Sequence, residues 1–206
     1  MSAGLLIAVA LIAASSFSLA AGSVCVKFPA NQVNGSGPLP YNYRIIDGHI
    51  HAGGHPFNPA NDFGNSDQAV LSILSYLKSK GVDQVVDLED TKSIYHRYKS
   101  LLDQAGLKLL HVPMNAFKTP NREEWLRIRE AMKSSVYIHC AWGADRTGIV
   151  IAKYLVEEKG YSTAEALRAV STGGSHAGVL GGLKPIFHYG IFLHFLRDNF
   201  KDAIQN

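Results

Sequence analysis

The chain has 206 residues, of which 47% are hydrophobic and 18% charged, a composition typical of one folded domain and not of a disordered or coiled-coil chain. The formal net charge is only +3 and there is no basic stripe, so nucleic acid is not expected as a partner. Two cysteines, Cys25 and Cys140, are too few for a disulfide-rich scaffold.

The first 22 residues differ from the rest of the chain. Residues 3–14 form an apolar run, and Ser18-Leu19-Ala20 after it fits a signal-peptidase cleavage pattern. No Lys or Arg precedes the run, so an uncleaved anchor or a buried helix are the alternatives. Because the run is short for a membrane span, residues 1–22 are predicted to be a signal peptide. The protein would then be exported, to the periplasm or outside the cell, with membrane contact only through this segment if it is uncleaved.

The remaining elements alternate between strand and helix. Residues 23–43, rich in Asn, Gly, Pro and Ser, predict an extended lead-in, and residues 44–206 one domain. A strand is predicted over Arg44–His51, followed by a helix capped by Ser66 or Asp67. Further strands are predicted at 82–88, 107–114 and 136–140, and helices at 93–106, after Thr119-Pro120, at 146–160 and in the C-terminal remainder. This order predicts an α/β fold with a central, largely parallel sheet flanked by helices.

A histidine-rich stretch, "IDGHIHAGGHPF", raises the hypothesis of a metal site. His49 and His51, two positions apart on a predicted strand, would point to one side. The D-x-H-x-H pattern resembles that of the amidohydrolase superfamily, which implies a metal-dependent hydrolase. That fold needs a barrel of about 250 residues, which this chain is too short to form. The alternative is a scaffold strand followed by a turn.

A second segment, "HCAWGADRTG" at residues 139–148, lies between a predicted strand and a predicted helix. Backbone N–H groups converge in such a loop and can bind an anion. The same field favours the thiolate form of Cys140, which makes it a candidate nucleophile. Arg146 can hold two phosphoryl oxygens, Gly143 permits a tight turn, and Thr147 can hydrogen-bond the sulfur. The alternative is a buried structural cysteine beside a surface arginine.

The pattern H-C-x-x-G-x-x-R-T-G resembles the phosphate-binding loop of the cysteine-based protein tyrosine phosphatase superfamily, in its compact dual-specificity-like branch. The resemblance implies a phosphatase-type α/β fold and hydrolysis of phosphate monoesters through a phosphocysteine intermediate. It implies no cofactor and no metal. Cys140 and Arg146 are the implied catalytic residues, and the implied substrate-binding residues are Ala141, Trp142, Gly143, Ala144 and Thr147.

One expected residue is missing from this pattern. Members of the superfamily usually carry an acidic proton donor on the loop before the cysteine strand, but here the expected positions hold Asn115 and Ala116. Asp145 is the predicted replacement, with a loop-bracing carboxylate as the alternative reading. Glu89 and Asp90 are further candidates. Without an acid, the chain could instead be a pseudophosphatase that binds phosphate groups without hydrolysing them.

The expected partner is a phosphorylated protein or a small phosphorylated substrate. Phosphoinositide-preferring members of the superfamily often carry lysines in this loop, whereas Ala141, Trp142 and Ala144 are uncharged, so the resemblance favours a phosphotyrosine or dual-specificity phosphatase. An exported inositol polyphosphate or phosphoinositide phosphatase is the alternative, because some exported bacterial members of the superfamily act on inositol polyphosphates. Lys118 and Arg122 are candidates for the pocket rim, with a plain solvated role as the favoured alternative.

Overall fold

The computed structural model describes residues 26–27, 35, 37–115, 117–172 and 188–198. Residues 1–22, for which the signal peptide was predicted, and Cys25 lie outside this range. Six strands and six α-helices are described: β1 Val26–Lys27, β2 Arg44–Ile46, β3 Ile50–Gly53, α1 Asp67–Ser79, β4 Gln84–Asp87, α2 Lys92–Gln104, β5 Lys108–His111, α3 Arg122–Ala131, β6 Val136–His139, α4 Asp145–Lys159, α5 Thr163–Thr172 and α6 His188–Arg197. Within these helices, none is long and apolar enough to cross a membrane.

The strands form one mixed sheet in the order β1-β2-β3-β6-β4-β5. Strands β3, β6, β4 and β5 run parallel, while β1 and β2 add to one edge in antiparallel pairing. The predicted α/β fold with a largely parallel sheet is therefore confirmed. Strand β6 lies between β3 and β4, so its C-terminal end opens at the middle of the sheet edge where α/β proteins place their ligands.

The strand predicted over Arg44–His51 is wrong, because this segment is a hairpin. Strands β2 and β3 pair antiparallel, with Ile46 opposite Ile50. Asp47 and Gly48 between them both have positive φ, 53° and 79°. Asp-Gly is a favoured dipeptide for such a turn, since both residues tolerate left-handed backbone. The turn reverses the chain in the middle of the predicted strand.

Helices cover both faces of the sheet. Side chains alternate along β4 and β6, so Val85 and Tyr137 face one layer while Val86 and Ile138 face the other. The first layer is formed by α1 and α2, and the second by α3 to α6. Trp125 of α3 is fully buried in the second layer and donates its indole N–H to Glu157 at 3.0 Å. Two separate apolar clusters thus hold the central strand from both sides.

The helix caps agree with the predictions at one helix and correct them at another. Ser66 caps α1, accepting the N–H of Ala69. Helix α3 is capped by Asn121 and not by Thr119. Asn121 and Glu124 form a reciprocal capping box, in which each side chain accepts the other's backbone N–H. The box satisfies two amides at once, which explains why the helix begins after Asn121.

Candidate active site

The loop between β6 and α4 turns sharply at Gly143. Its φ is 68°, in the left-handed region, and a methyl group added there would lie 2.1 Å from the carbonyl carbon of Gly53. It would also lie 2.6 Å from the nitrogen of Gly54. Both the backbone conformation and the close approach therefore require glycine at position 143.

The loop rests on the glycine pair that ends β3. The N–H of His55 donates to the Ala141 carbonyl at 2.8 Å. A methyl group added to Gly54 would lie 2.8 Å from the same carbonyl oxygen. The Tyr137 hydroxyl of β6 donates to the Gly54 carbonyl. The histidine-rich stretch thus supports the loop, and the Gly53-Gly54 pair is the signal that could have revealed this contact.

Helix α4 points its N-terminus at the loop. Ala144 is its N-cap residue and has no side-chain oxygen to cap the first amides. The helix continues for 15 residues and ends at Gly160, whose φ of 73° closes it. Uncapped first-turn amides and the helix dipole favour an anion at this end. Asp145, the first residue of the helix, is partly exposed beside them.

Cys140 follows β6 directly and is only 2% exposed. Trp142 on the same loop is partly exposed and packs edge-on against Tyr41, with ring centroids 5.3 Å apart. Thr147 lies one turn into α4 and is fully buried. Its Oγ1 has no hydrogen-bond partner among the described residues, so the predicted bond to the sulfur is not formed in this structure.

Arg146 is held by groups from two other loops. Its Nη1 donates to the carbonyls of Leu88 at 3.2 Å and Met114 at 3.0 Å, and its Nη2 donates to Glu89 at 2.9 Å. Burial disfavours its charge, but the neighbouring Cys140 and Glu89 outweigh this and raise the Arg146 pKa. The guanidinium therefore stays charged in a fixed position, which sequence reasoning did not foresee.

Glu89 is itself fixed by its neighbours. It is 7% exposed, and its Oε1 accepts the N–H of Asp90 at 2.9 Å and the hydroxyl of Thr91 at 2.8 Å. With its other oxygen bound to Arg146, this carboxylate serves to orient the arginine. Glu89 was a further candidate for the proton donor in the sequence analysis, and its bonds here fit the role of holding Arg146.

The loop before α3 approaches the same edge. Asn115, at a position where a proton donor was expected, donates its amide to the Asp90 carboxylate at 2.9 Å. Ala116, the other expected position, lies outside the described residues. Lys118 pairs with Glu124 at 3.2 Å, and Arg122 is exposed at the start of α3. Phe117 is 85% exposed at the loop tip.

A buried group of two histidines and an aspartate lies near the loop. Nitrogen and oxygen atoms of His55, Asp87 and His139 all lie within 4.8 Å of one another. Burial lowers the pKa of both histidines and raises the pKa of Asp87. His55 Nδ1 accepts the N–H of Phe57 at 3.1 Å, so neutral His55 carries its proton on Nε2. That nitrogen cannot bind a metal in this tautomer, and the group fits a hydrogen-bonded support better than a metal site.

The predicted pairing of His49 and His51 is wrong. Strand β3 begins at Ile50, so His49 belongs to the hairpin turn. His49 bonds to the carbonyls of Asp47 and Met132, both at 2.9 Å. His51 is hydrogen-bonded to the Tyr43 hydroxyl at 2.6 Å, on another side of the strand. The D-x-H-x-H stretch therefore does not form the metal site of the hydrolase hypothesis.

Comparisons with known proteins agree with this site. Residues 62–160 match the family "Tc-R-P: Polymorphic toxin system, DSP-PTPase phosphatase". No curated protein matches the chain. The fold is similar to that of TpbA from P. aeruginosa, with 18% identity, coverage of 81% of this chain and 92% of that chain, and a TM-score of 0.56.

Two further structures share the fold. For PTPMT1, the identity is 18%, the coverage 80% of this chain and 99% of that chain, and the TM-score 0.58. For the core catalytic domain of the PP-IP phosphatase SIW14 from S. cerevisiae, the corresponding values are 16%, 80%, 90% and 0.55. Residues 62–160 thus match a DSP-PTPase phosphatase domain, and the chain has the fold of dual-specificity-like members of the cysteine-based protein tyrosine phosphatase superfamily.

Proposed function

We propose that this phosphatase hydrolyses phosphotyrosine, alone or with phosphoserine and phosphothreonine, through a phosphocysteine intermediate on Cys140. One observation carries the proposal. Cys140 follows the central strand at the N-terminus of α4, and Arg146 is held on the same loop by Glu89 at 2.9 Å. A candidate nucleophile, a fixed cation and the first amides of α4 thus come from one short segment, residues 140–147.

The reaction has two displacements at phosphorus. The Cys140 sulfur attacks the phosphorus and forms an S–P bond, while the bond to the ester oxygen breaks and this oxygen takes a proton from an acid. A water molecule then attacks the phosphorus and gives a proton to the carboxylate left by the acid in the first step, the S–P bond breaks, and inorganic phosphate leaves with the thiolate and the acid restored. Arg146 and the amides of Ala141 to Ala144 stabilise the equatorial oxygens in both steps. Thr147 completes the proposed binding set.

Two carboxylates are candidates for the acid. Asp145 begins α4, immediately before the arginine. Asp90 follows Glu89, the partner of Arg146, and receives the Asn115 amide at 2.9 Å. Asn115 thus brings a carboxylate to the loop on which members of the superfamily carry theirs. We retain Asp145 as the predicted acid, with Asp90 as its direct competitor.

An aromatic rim supports an aromatic phosphoester as substrate. Trp142 packs edge-on against Tyr41, and Phe117 is exposed on the loop before α3. A TpbA variant of this fold has been crystallised in complex with pTyr. Aromatic side chains can pack against the ring of phosphotyrosine, whereas they offer little to a polyanionic inositol phosphate.

The alternative substrate is an inositol polyphosphate or phosphoinositide, because SIW14, a PP-IP phosphatase, shares the fold. Such a substrate would need several cations beyond Arg146. Lys118 is engaged with Glu124 at 3.2 Å, which leaves it poorly placed for this task. We further propose that the protein is exported, on the basis of the apolar run at residues 3–14.

A substrate panel tests the proposed function. Phosphotyrosine peptide, phosphoserine peptide, a phosphoinositide and inositol hexakisphosphate are each incubated with the full chain and with Cys140→Ser, in the presence of a strong chelator. We expect turnover of phosphotyrosine that survives the chelator and is lost in Cys140→Ser. Preference for inositol hexakisphosphate would support the alternative substrate. Phosphate binding without turnover would identify a pseudophosphatase, and loss of activity with the chelator a metal-dependent hydrolase.

A further inference from the structure

We propose that Arg44 of β2 is a second, buried cation of this site, a positioning residue that favours the thiolate of Cys140 and holds the loop through Asn42. The inference rests on the proposed role of Cys140 as nucleophile. Arg44 belongs neither to the loop pattern nor to the loop itself, and it stands almost a hundred positions earlier in the chain.

Arg44 is unusual because it has no exposed surface at all. A buried guanidinium loses its hydration, and this loss is costly unless charged or polar groups replace the water. Packing alone would be satisfied by an apolar side chain of similar length. A fully buried arginine on β2 therefore calls for a functional reason.

The strand register places Arg44 on the side of the sheet that leads to Cys140. Arg44 pairs with Ala52, and Ala52 pairs with Ile138. These three residues share one face, and Cys140 follows Ile138 by two positions. Because β3 lies between β2 and β6, the Cα atoms of Arg44 and Ile138 are two strand spacings apart, about 10 Å. Ala52 between them carries only a methyl group, which leaves room for a long side chain.

A chain of hydrogen bonds joins Arg44 to the loop. Its Nη1 donates to the Asn42 carbonyl at 2.9 Å. The Asn42 side-chain amide donates to the Gly143 carbonyl at 3.2 Å. Asn42 has a φ of 53°, in the left-handed region where a non-glycine residue needs support from its surroundings. Arg44 thus holds Asn42 in place, and Asn42 in turn holds the loop at its turn, Gly143.

The electrostatics agree with this geometry. Burial lowers the pKa of Arg44 to about 10, and the charge of Cys140 opposes this shift, followed by Tyr137. Arg44 therefore stays protonated at neutral pH. Cys140 also raises the pKa of Arg146. Cys140 therefore interacts electrostatically with two cations, Arg146 of α4 and Arg44 of β2.

The test measures how fast iodoacetamide alkylates Cys140 as a function of pH. The full chain carries Cys25→Ser in every variant, so only Cys140 reacts. Arg44→Gln keeps a donor but removes the charge, and we expect the pH of half-maximal alkylation to rise by about 1 unit or more. Arg44→Lys keeps the charge and should remain near wild type. If Arg44→Gln does not fold, Arg44→Met, which buries no polar head group, replaces it and should show the same rise.

Two matched variants separate charge from structure. Lys153 is also fully buried, but it bonds to the Phe195 carbonyl at 2.7 Å and pairs with Glu157, so Lys153→Gln should leave the pH midpoint unchanged. Asn42→Gly keeps the positive φ and removes only the amide, so it should lower kcat/KM without moving the midpoint. An unchanged midpoint in folded Arg44→Gln, or an equal shift in Arg44→Lys, overturns the inference. Since alkylation needs no phosphatase turnover, this result is independent of the substrate panel.

Discussion

Two regions build this site, and they differ in how they are encoded. The loop at residues 139–148 carries the reactive groups as one contiguous pattern. The hairpin region at residues 41–55 carries no reactive group, yet it contacts the loop through Gly53, Gly54, His55 and Asn42. Changes in the loop should abolish chemistry, whereas changes in the hairpin region should act through the loop's shape and stability and, at Arg44, through the charge near Cys140.

The largest effect is expected from the loop's cation. Arg146→Ala should lower kcat/KM for phosphotyrosine by about 10³-fold or more, since the arginine stabilises charge on the transferring phosphoryl group. Arg146→Lys should recover little, because lysine cannot make the two-pronged contact. Steady-state kinetics measure the loss in kcat/KM, and circular dichroism verifies that each variant is folded. The control is Arg127→Ala, an exposed arginine of α3. Near wild-type turnover in Arg146→Ala would remove the loop from the mechanism.

The next effect distinguishes the two acid candidates. The variant that lacks the acid should slow an alkyl phosphate by about 10²- to 10⁴-fold and p-nitrophenyl phosphate much less, because p-nitrophenolate leaves without a proton. Asp145→Asn and Asp90→Asn are compared on both substrates. Asn115→Asp in the Asp90→Asn background should restore activity if Asp90 is the acid. Equal slowing of both substrates by Asp145→Asn would exclude Asp145 from this role.

A single methyl group added at Gly143 should disrupt the contact between the loop and the hairpin region. Gly143→Ala would place a methyl group 2.1 Å from the Gly53 carbonyl carbon and impose a φ of 68° on alanine. We expect a loss of about 10²-fold in kcat/KM from the displaced loop, and a fall of about 1–3 kcal/mol in the free energy of unfolding. Urea unfolding and kinetics measure both. Gly37→Ala, where an added methyl meets no atom within 4 Å, is the control and should change neither.

The smallest effect on turnover is expected from His51 in the hairpin region. Burial lowers its pKa from 6.5 to about 4, so the folded state resists a proton that the unfolded chain accepts. Its contribution to stability is complete above pH 6.5 and is lost as the pH falls towards 4, by up to about 3 kcal/mol. In His51→Gln, the free energy of unfolding should fall less steeply as the pH drops from 6.5 to 4. The exposed His96→Gln should retain it, and an unchanged slope in His51→Gln would contradict the assignment.

The contrast between the regions also explains what could be predicted from the sequence. Local sequence patterns predicted the alternation of strands and helices, including the central strand β6. They also predicted that Cys140 and Arg146 lie where this strand passes into the next helix, and the structure agrees. The Arg146–Glu89 pair joins positions 57 residues apart, and the bond from Asn42 to Gly143 spans 101. Such contacts leave no periodic or contiguous signal. The Asp47-Gly48 dipeptide is itself a turn signal in the sequence. The alternating histidines beside it favoured one continuous strand, so the turn was not predicted.

The most direct test of the account is to trap the intermediate. The full chain is mixed with a phosphotyrosine peptide, quenched in the turnover phase, and digested for mass spectrometry of the peptide that contains residue 140. The account predicts a phosphoryl group on Cys140 in the wild type that disappears as the substrate is consumed, and none in Cys140→Ser. Hydrolysis of phosphotyrosine by Cys140→Ser at the wild-type rate would contradict it.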